Sequence, residues 1–124
     1  MNGVSGAPGA VGPYSQAVRA GQFLFASGQI GLDPASGTLV EGDIKAQTKR
    51  VMDNIKVVLG SQGLDFSNVV KSLCFLTDMS EFPAFNEVYG SYFDKEPPAR
   101  STVGVAALPK GAKVEVEVIA IFPS

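Results

Sequence analysis

Near the end of the chain, Val114-Glu115-Val116-Glu117-Val118 alternates between apolar and charged residues, the period-two pattern of a strand with one buried face. Val114, Val116 and Val118 share one side, Glu115 and Glu117 the other. The acidic side then continues as Ile119 and Ile121. Isoleucines need cover, so this is no ordinary solvent face, and what the two carboxylates look at becomes the first question.

Earlier segments read by the same rules. Residues 17–30, "AVRAGQFLFASGQI", predict two short strands turning at Ala20-Gly21, with Phe23 and Phe25 on one face of the second. Turn chemistry at Asp33-Pro34 and Ser36-Gly37 predicts a loop holding a short strand at residues 38–40. Asp43 is placed to cap a helix running to about Ser61, because Ile44, Thr48, Val51, Ile55 and Val58 keep helical spacing and Gly63 can stop it. Met52 and Leu59 widen that stripe. The β-branched and aromatic run at residues 69–76 predicts a buried strand. Ser80 is the expected cap of a second helix carrying Phe82, Phe85, Tyr89 and Tyr92 or Phe93 on one side, and Pro97-Pro98 ends it. Two last strands, "RSTVGVAA" and "AKVEVEVIAIF", flank the loop "LPKG" and are expected to form an antiparallel hairpin. The sum is an α+β fold with two helices on one sheet face. The second face must then find cover elsewhere, and self-association is the simplest source.

Composition narrows the chemistry. The 124 residues fit one domain, residues 1–124, with a flexible start over residues 1–6. Ten basic against twelve acidic residues give a net charge of −2, no footprint for nucleic acid. No stretch approaches the roughly eighteen apolar residues of a membrane span, and the start lacks the pattern of a signal peptide, so a cytoplasmic protein is expected. Cys74 is the only cysteine, which rules out an intrachain disulfide or a multi-cysteine metal cluster. Histidine is absent altogether, so histidine bases, triads and metal sites are excluded within the chain. Carboxylate, Tyr, Lys, Arg or backbone groups would have to do any chemistry. No phosphate loop or dinucleotide fingerprint occurs, and Lys45, Lys49, Arg50 and Lys56 scatter as a solvated face.

Arg100 follows the stiff Pro97-Pro98 elbow, where a planar guanidinium could grip a carboxylate through two parallel hydrogen bonds. The plainer reading is a salt bridge to Glu115 or Glu117. Those glutamates could also be edge charges that discourage aggregation. Without histidine, a partly desolvated Glu is the best candidate to orient or deprotonate a water; burial would raise its pKa and a nearby Arg would lower it. Tyr14 could anchor the N-terminal segment. Ser27, Gly28 and Gln29 sit at a strand end, where glycine lets a ligand approach the backbone, although such a sequence is more often a turn. Asn86 and Tyr89 lie one helical turn apart and could face one cleft, with Tyr89 better suited to the core.

Taken together, "GPYSQAV", "SGQIGLDPASG", "NVVK", "FNEVYGSYF", "PPARSTV" and "ALPKGAKVEVEVIA" closely resemble the RidA/YjgF family of reactive intermediate deaminases, also known as perchloric-acid-soluble translation inhibitors. The likeness runs from about Ala7 to the C-terminus. It implies a chorismate-mutase-like α+β fold assembled as a homotrimer with sites between subunits. It also implies cofactor-free hydrolysis of small enamine and imine carboxylates (2-aminoacrylate, 2-iminopropanoate, 2-iminobutanoate) to 2-keto acids and ammonia.

Residue by residue, the resemblance puts the substrate-carboxylate anchor on Arg100 and the water-positioning glutamate on Glu115. Substrate contacts fall on Tyr14, Ser27, Gly28 and Asn86, and on Thr102, which stands where some members have Cys and is expected to act through its backbone. The expectation for the opening question is that Glu115 faces an intersubunit pocket across from Arg100, while Ile119 and Ile121 run into the trimer contact. The alternatives are an endoribonuclease or translation inhibitor, and a non-catalytic chaperone or metabolite-binding protein.

Overall fold

The computed structural model describes residues 4–10 and 12–124. Five strands, β1 (Ala17–Ala20), β2 (Phe23–Gln29), β3 (Val69–Leu76), β4 (Ala99–Gly104) and β5 (Val114–Ile121), form one sheet in the order β1-β2-β5-β3-β4. Two helices, α1 (Ile44–Gly60) and α2 (Phe82–Gly90), pack on the same face of it, giving the expected α+β fold. α1 forms where the apolar spacing placed it. Asp43 caps it by accepting from the Ala46 amide at 3.1 Å, and Gly63, at φ 72°, turns the chain back after it.

β5 is the central strand. Val114, Val116, Val118 and Ala120 are buried against the helices among Val51, Ile55, Leu59 and Phe85. Each buried valine contributes about 1.5–3 kcal/mol. A one-residue slip would turn them all outward and forfeit much of a domain's usual ~5–15 kcal/mol, which fixes the register.

Three expectations change. β4 and β5 are not a hairpin: β4 pairs with β3 in parallel, and β5 runs antiparallel between β2 and β3. The reason is that α2 carries the chain back to the start of β3, leaving β4 only the outer edge, while the more apolar β5 takes the centre, where both its edges are paired. Ser80 does not cap α2. The Asp78 carboxylate, a stronger acceptor than a hydroxyl, takes the Ser80 amide at 2.9 Å and caps a 3-10 turn, Met79–Glu81. α2 then starts at Phe82 with Pro83 in its first turn, where no amide needs a partner. The short strand at residues 38–40 is reduced to one bridge, Leu32 to Leu39.

The other sheet face lacks helices. Glu115, Glu117, Ile119 and Ile121 are half-buried there, and Val18, Phe23 and Phe25 remain 51 %, 42 % and 45 % exposed. The flexible start expected at residues 1–6 falls in part on residues 1–3, which lie outside the described residues. From Val4 onward Gln16 holds the chain: its buried amide accepts from the Val4 backbone at 2.9 Å and donates to the Pro8 carbonyl.

Candidate functional site

The chain carries two clusters built around opposite charges. The first lies at the β4 edge on the helix-covered face. Strand alternation and parallel pairing with Ser72 and Cys74 turn Arg100 and Thr102 toward α2. The Arg100 guanidinium lies 4.9 Å from the ring centre of Tyr89, 5.2 Å from Phe82 and 6.0 Å from Phe85, and its Nη1 donates to Asn86 Oδ1 at 2.8 Å. Arg100 takes no part in the ion pairs among the described residues, which join Lys45 to Glu87, Lys49 to Asp53 and Lys113 to Glu81. Rings and a neutral amide hold this cation without cancelling its charge. Within the chain, the salt bridge to Glu115 or Glu117 is therefore not formed.

Behind Arg100, the Ser72 and Tyr89 hydroxyls meet at 2.6 Å. Burial pushes the Cys74 thiol up, an effect the Arg100 charge only partly offsets, so the cysteine stays protonated and unreactive. The buried Thr102 hydroxyl stands beside the Cys74 thiol in the parallel pair and, with Arg100 and Ser72, works against the rise that burial causes.

The second cluster lies on the open face. A register shift in β2 between Ala26 and Gln29 leaves an extra residue at Ser27-Gly28, a β-bulge opposite β5. Glu115 folds its side chain over that bulge. A Cβ on residue 28 would come within 2.8 Å of the Glu115 carboxyl carbon, closer still to its oxygen, so the carboxylate can lie here only while residue 28 has no side chain. The Ser27 hydroxyl donates to the Ser15 carbonyl at 2.6 Å and its amide to Gln16 O at 2.9 Å. Ser27 thus ties the Tyr14 segment to the bulge. Between them opens a cleft of about 490 Å³, bordered by Pro8, Tyr14, Gly28, Lys110, Glu115 and Glu117. Burial raises the Glu115 pKa and the Glu117 charge raises it further.

Tyr14, Ser27, Gly28 and Glu115 therefore come together, as do Asn86, Arg100 and Thr102. The two groups do not meet within the chain, because β3 separates β4 from β5 and the side chains point to opposite faces. Several contributors escape sequence reasoning. The rings of Phe82, Phe85 and Tyr89 show in the sequence as a core stripe, with nothing to say that they also hold a guanidinium. Pro8, to which the sequence reading gave no role, and Lys110, in the "LPKG" loop, also border the cleft. Among the described residues, no group of three or more His, Cys, Asp or Glu is arranged to hold a metal, and no helix is long and apolar enough to cross a membrane.

The mixed five-stranded α+β sheet thus bears an arginine without a counter-ion at one edge and, on its central strand, a desolvated glutamate folded over a glycine bulge. The chain belongs to the RidA/YjgF family: residues 4–122 match the family model described as Endoribonuclease L-PSP. A protein of Myxococcus xanthus named DfrA is 58% identical over 117 residues, covering 93% of this chain and 89% of its own. The human 2-iminobutanoate/2-iminopropanoate deaminase is 48% identical over 115 residues, covering 93% and 84%. The crystal structure of RidA from an Antarctic Psychrobacter superposes with a TM-score of 0.91 at 46% identity, covering 94% of each chain.

Proposed function

We propose that this protein is a cytoplasmic, cofactor-independent 2-iminobutanoate/2-iminopropanoate deaminase that works as a homotrimer with sites completed between subunits. One observation carries the reading: an arginine without a counter-ion and a desolvated glutamate stand on opposite faces of one sheet, so each chain offers two halves of a site. A second copy covering the open face would bring its Arg100 to the Glu115 cleft and bury Phe23, Phe25, Ile119 and Ile121. The human relative's name supports the substrate class.

In the mechanism, the N–H groups of the Arg100 guanidinium not given to Asn86 hold the substrate carboxylate, and Asn86 with the three rings fixes the orientation of the guanidinium. Tyr14 and the Gly28 backbone border the reacting carbon. Glu115 accepts a proton from water as its oxygen adds to the protonated imine carbon, forming a carbinolamine. That proton passes to the nitrogen; the C–N bond then breaks and ammonia leaves as the carbinolamine hydroxyl gives its proton back to Glu115 and the C=O bond forms, the proton departing afterwards with ammonia as ammonium. Water and imine thus yield a 2-keto acid and ammonia with no redox change. Burial of Glu115 raises its basicity toward neutral pH, the direction a general base needs.

The test generates the imine with an amino-acid oxidase or dehydratase in the presence of semicarbazide and measures 2-keto acid release. Wild type should outcompete the trap and Arg100→Ala should not. No difference for any precursor would overturn the reading and favour a non-catalytic binding protein. RNA cleavage is the second reading, favoured by the family model's description. It predicts RNA nicking that survives Arg100→Ala, against the absence of histidine and a net charge of −2.

A further inference from the structure

The cleft beside Gly28 holds two carboxylates, Glu115 and Glu117, yet the substrate proposed for it is an anion. Like charges at such range repel strongly away from bulk water. Among the described residues bordering the cleft, Lys110 is the only cation. Its backbone is unusual: at φ 58° and ψ 22° it is the one non-glycine residue with positive φ among those described, between Pro109 and Gly111. Turns normally give that conformation to glycine, so a lysine there is held against its own preference. Its ammonium makes no ion pair among the described residues; its Nζ reaches the Gly37 carbonyl at a long 3.4 Å. The charge is left for something else.

We infer that Lys110 is a specificity-determining residue: the cationic lip of the Glu115 cleft, which draws in imines bearing a carboxylate and offsets the two glutamates there. The inference rests on the deaminase reading for its substrate. Lys110 acts on capture rather than on bond making, since Glu115 and Arg100 carry the reacting end. Its loss therefore appears in KM, and its effect is screened by salt.

The test compares Lys110→Met, Lys110→Arg and Lys110→Gly in the semicarbazide assay, together with melting temperatures and titration of 2-oxobutanoate followed by NMR. Lys110→Met should raise KM about tenfold with kcat within about twofold, and should flatten the fall of kcat/KM with ionic strength. Lys110→Arg should stay near wild type. Lys110→Gly removes the charge but suits φ 58°, so it should match Lys110→Met in KM while melting at or above the wild-type temperature. A structural role would move melting and KM together, and that outcome, or an unchanged KM in Lys110→Met, overturns the inference. If wild type accelerates no imine, the deaminase reading fails by itself, and 2-oxobutanoate decides Lys110 alone. Binding about tenfold weaker in Lys110→Met supports it; equal binding, or none by wild type, overturns it.

Discussion

Arg100 and Glu115 stand on strands separated only by β3 in the sheet order and are opposite in nearly every other respect. Arg100 sits at an edge, on the helix side, stacked among Phe82, Phe85 and Tyr89 and bonded to Asn86. Glu115 sits on the central strand, on the bare side, folded over a bulge with a second carboxylate for company. The arginine's surroundings leave its charge comfortable and unspent. Those of the glutamate push it toward its neutral form. On the proposed reading, each environment suits one half of a reaction on an anionic imine, and the reaction would require the two faces to be brought together.

The largest effect should come from breaking that union. Arg100→Ala and Glu115→Gln should each lower kcat/KM by about 10²–10³-fold, the scale of losing a charged transition-state contact. If the halves meet between copies, dissociating and reassociating the two inactive variants in equal amounts should restore about one quarter of wild-type activity, because random assembly rebuilds that share of two-chain sites. A mixture that stays inactive after confirmed exchange would put both residues to work within a single chain, which the sheet geometry does not favour.

Next comes Gly28→Ala. The added methyl would meet the Glu115 carboxylate, so the side chain must swing off the bulge. We expect a loss of about 10²-fold in kcat, the scale of an ångström's misplacement, with melting little changed because the carboxylate end can move. The pH profile is a finer probe. Glu115 must be ionised to accept a proton, and its pKa lies above the ordinary 4.5, so the acid limb of kcat should too. Glu117→Gln removes the lesser cause of that rise and should move the limb to lower pH without returning it to 4.5, since burial remains. Stability carries the matching sign. A folded-state pKa raised above the unfolded one favours the fold at low pH, and that contribution is lost as pH rises through the folded value. Glu115→Gln should therefore melt higher than wild type at neutral pH, with the gap closing toward pH 4.5.

Much of this contrast was legible in the chain. The alternation at residues 114–118 put the valines inside and the glutamates outside, and the aliphatic continuation at Ile119 and Ile121 marked that outer face as needing cover. What periodicity could not supply was pairing. The short "LPKG" loop suggested a hairpin, whereas β5 crosses to the centre because a strand of that apolar content is better paired on both edges. Nor could it say that Arg100 and Glu115 would face apart, since facing depends on the parity of each strand and on which neighbour it joins. Gly28 read as a strand end open to a ligand, or as a turn; that it forms a bulge, and that the bulge is occupied by Glu115, 87 positions along the chain, is found only by folding.

The smallest expected effect separates how Arg100 is held from how the core is held. Phe82 is half-buried and its ring lies 5.2 Å from the guanidinium, while Tyr89 is buried and its hydroxyl meets Ser72 at 2.6 Å. Phe82→Leu keeps most apolar bulk but removes one ring from the cradle; a partly exposed cation–π contact is worth about 0.5–1 kcal/mol, so KM should rise by about two- to fivefold with little change in melting. Tyr89→Phe keeps its ring over Arg100 but strands the Ser72 hydroxyl in the core, costing about 1–3 kcal/mol of stability. Its KM should stay near wild type. The paired measurements are KM and the urea midpoint of each variant. A KM change in Tyr89→Phe equal to that in Phe82→Leu would mean that the hydroxyl pair, rather than the ring faces, positions the guanidinium, and the Arg100 edge would then be held from beneath by β3 instead of from the side by α2.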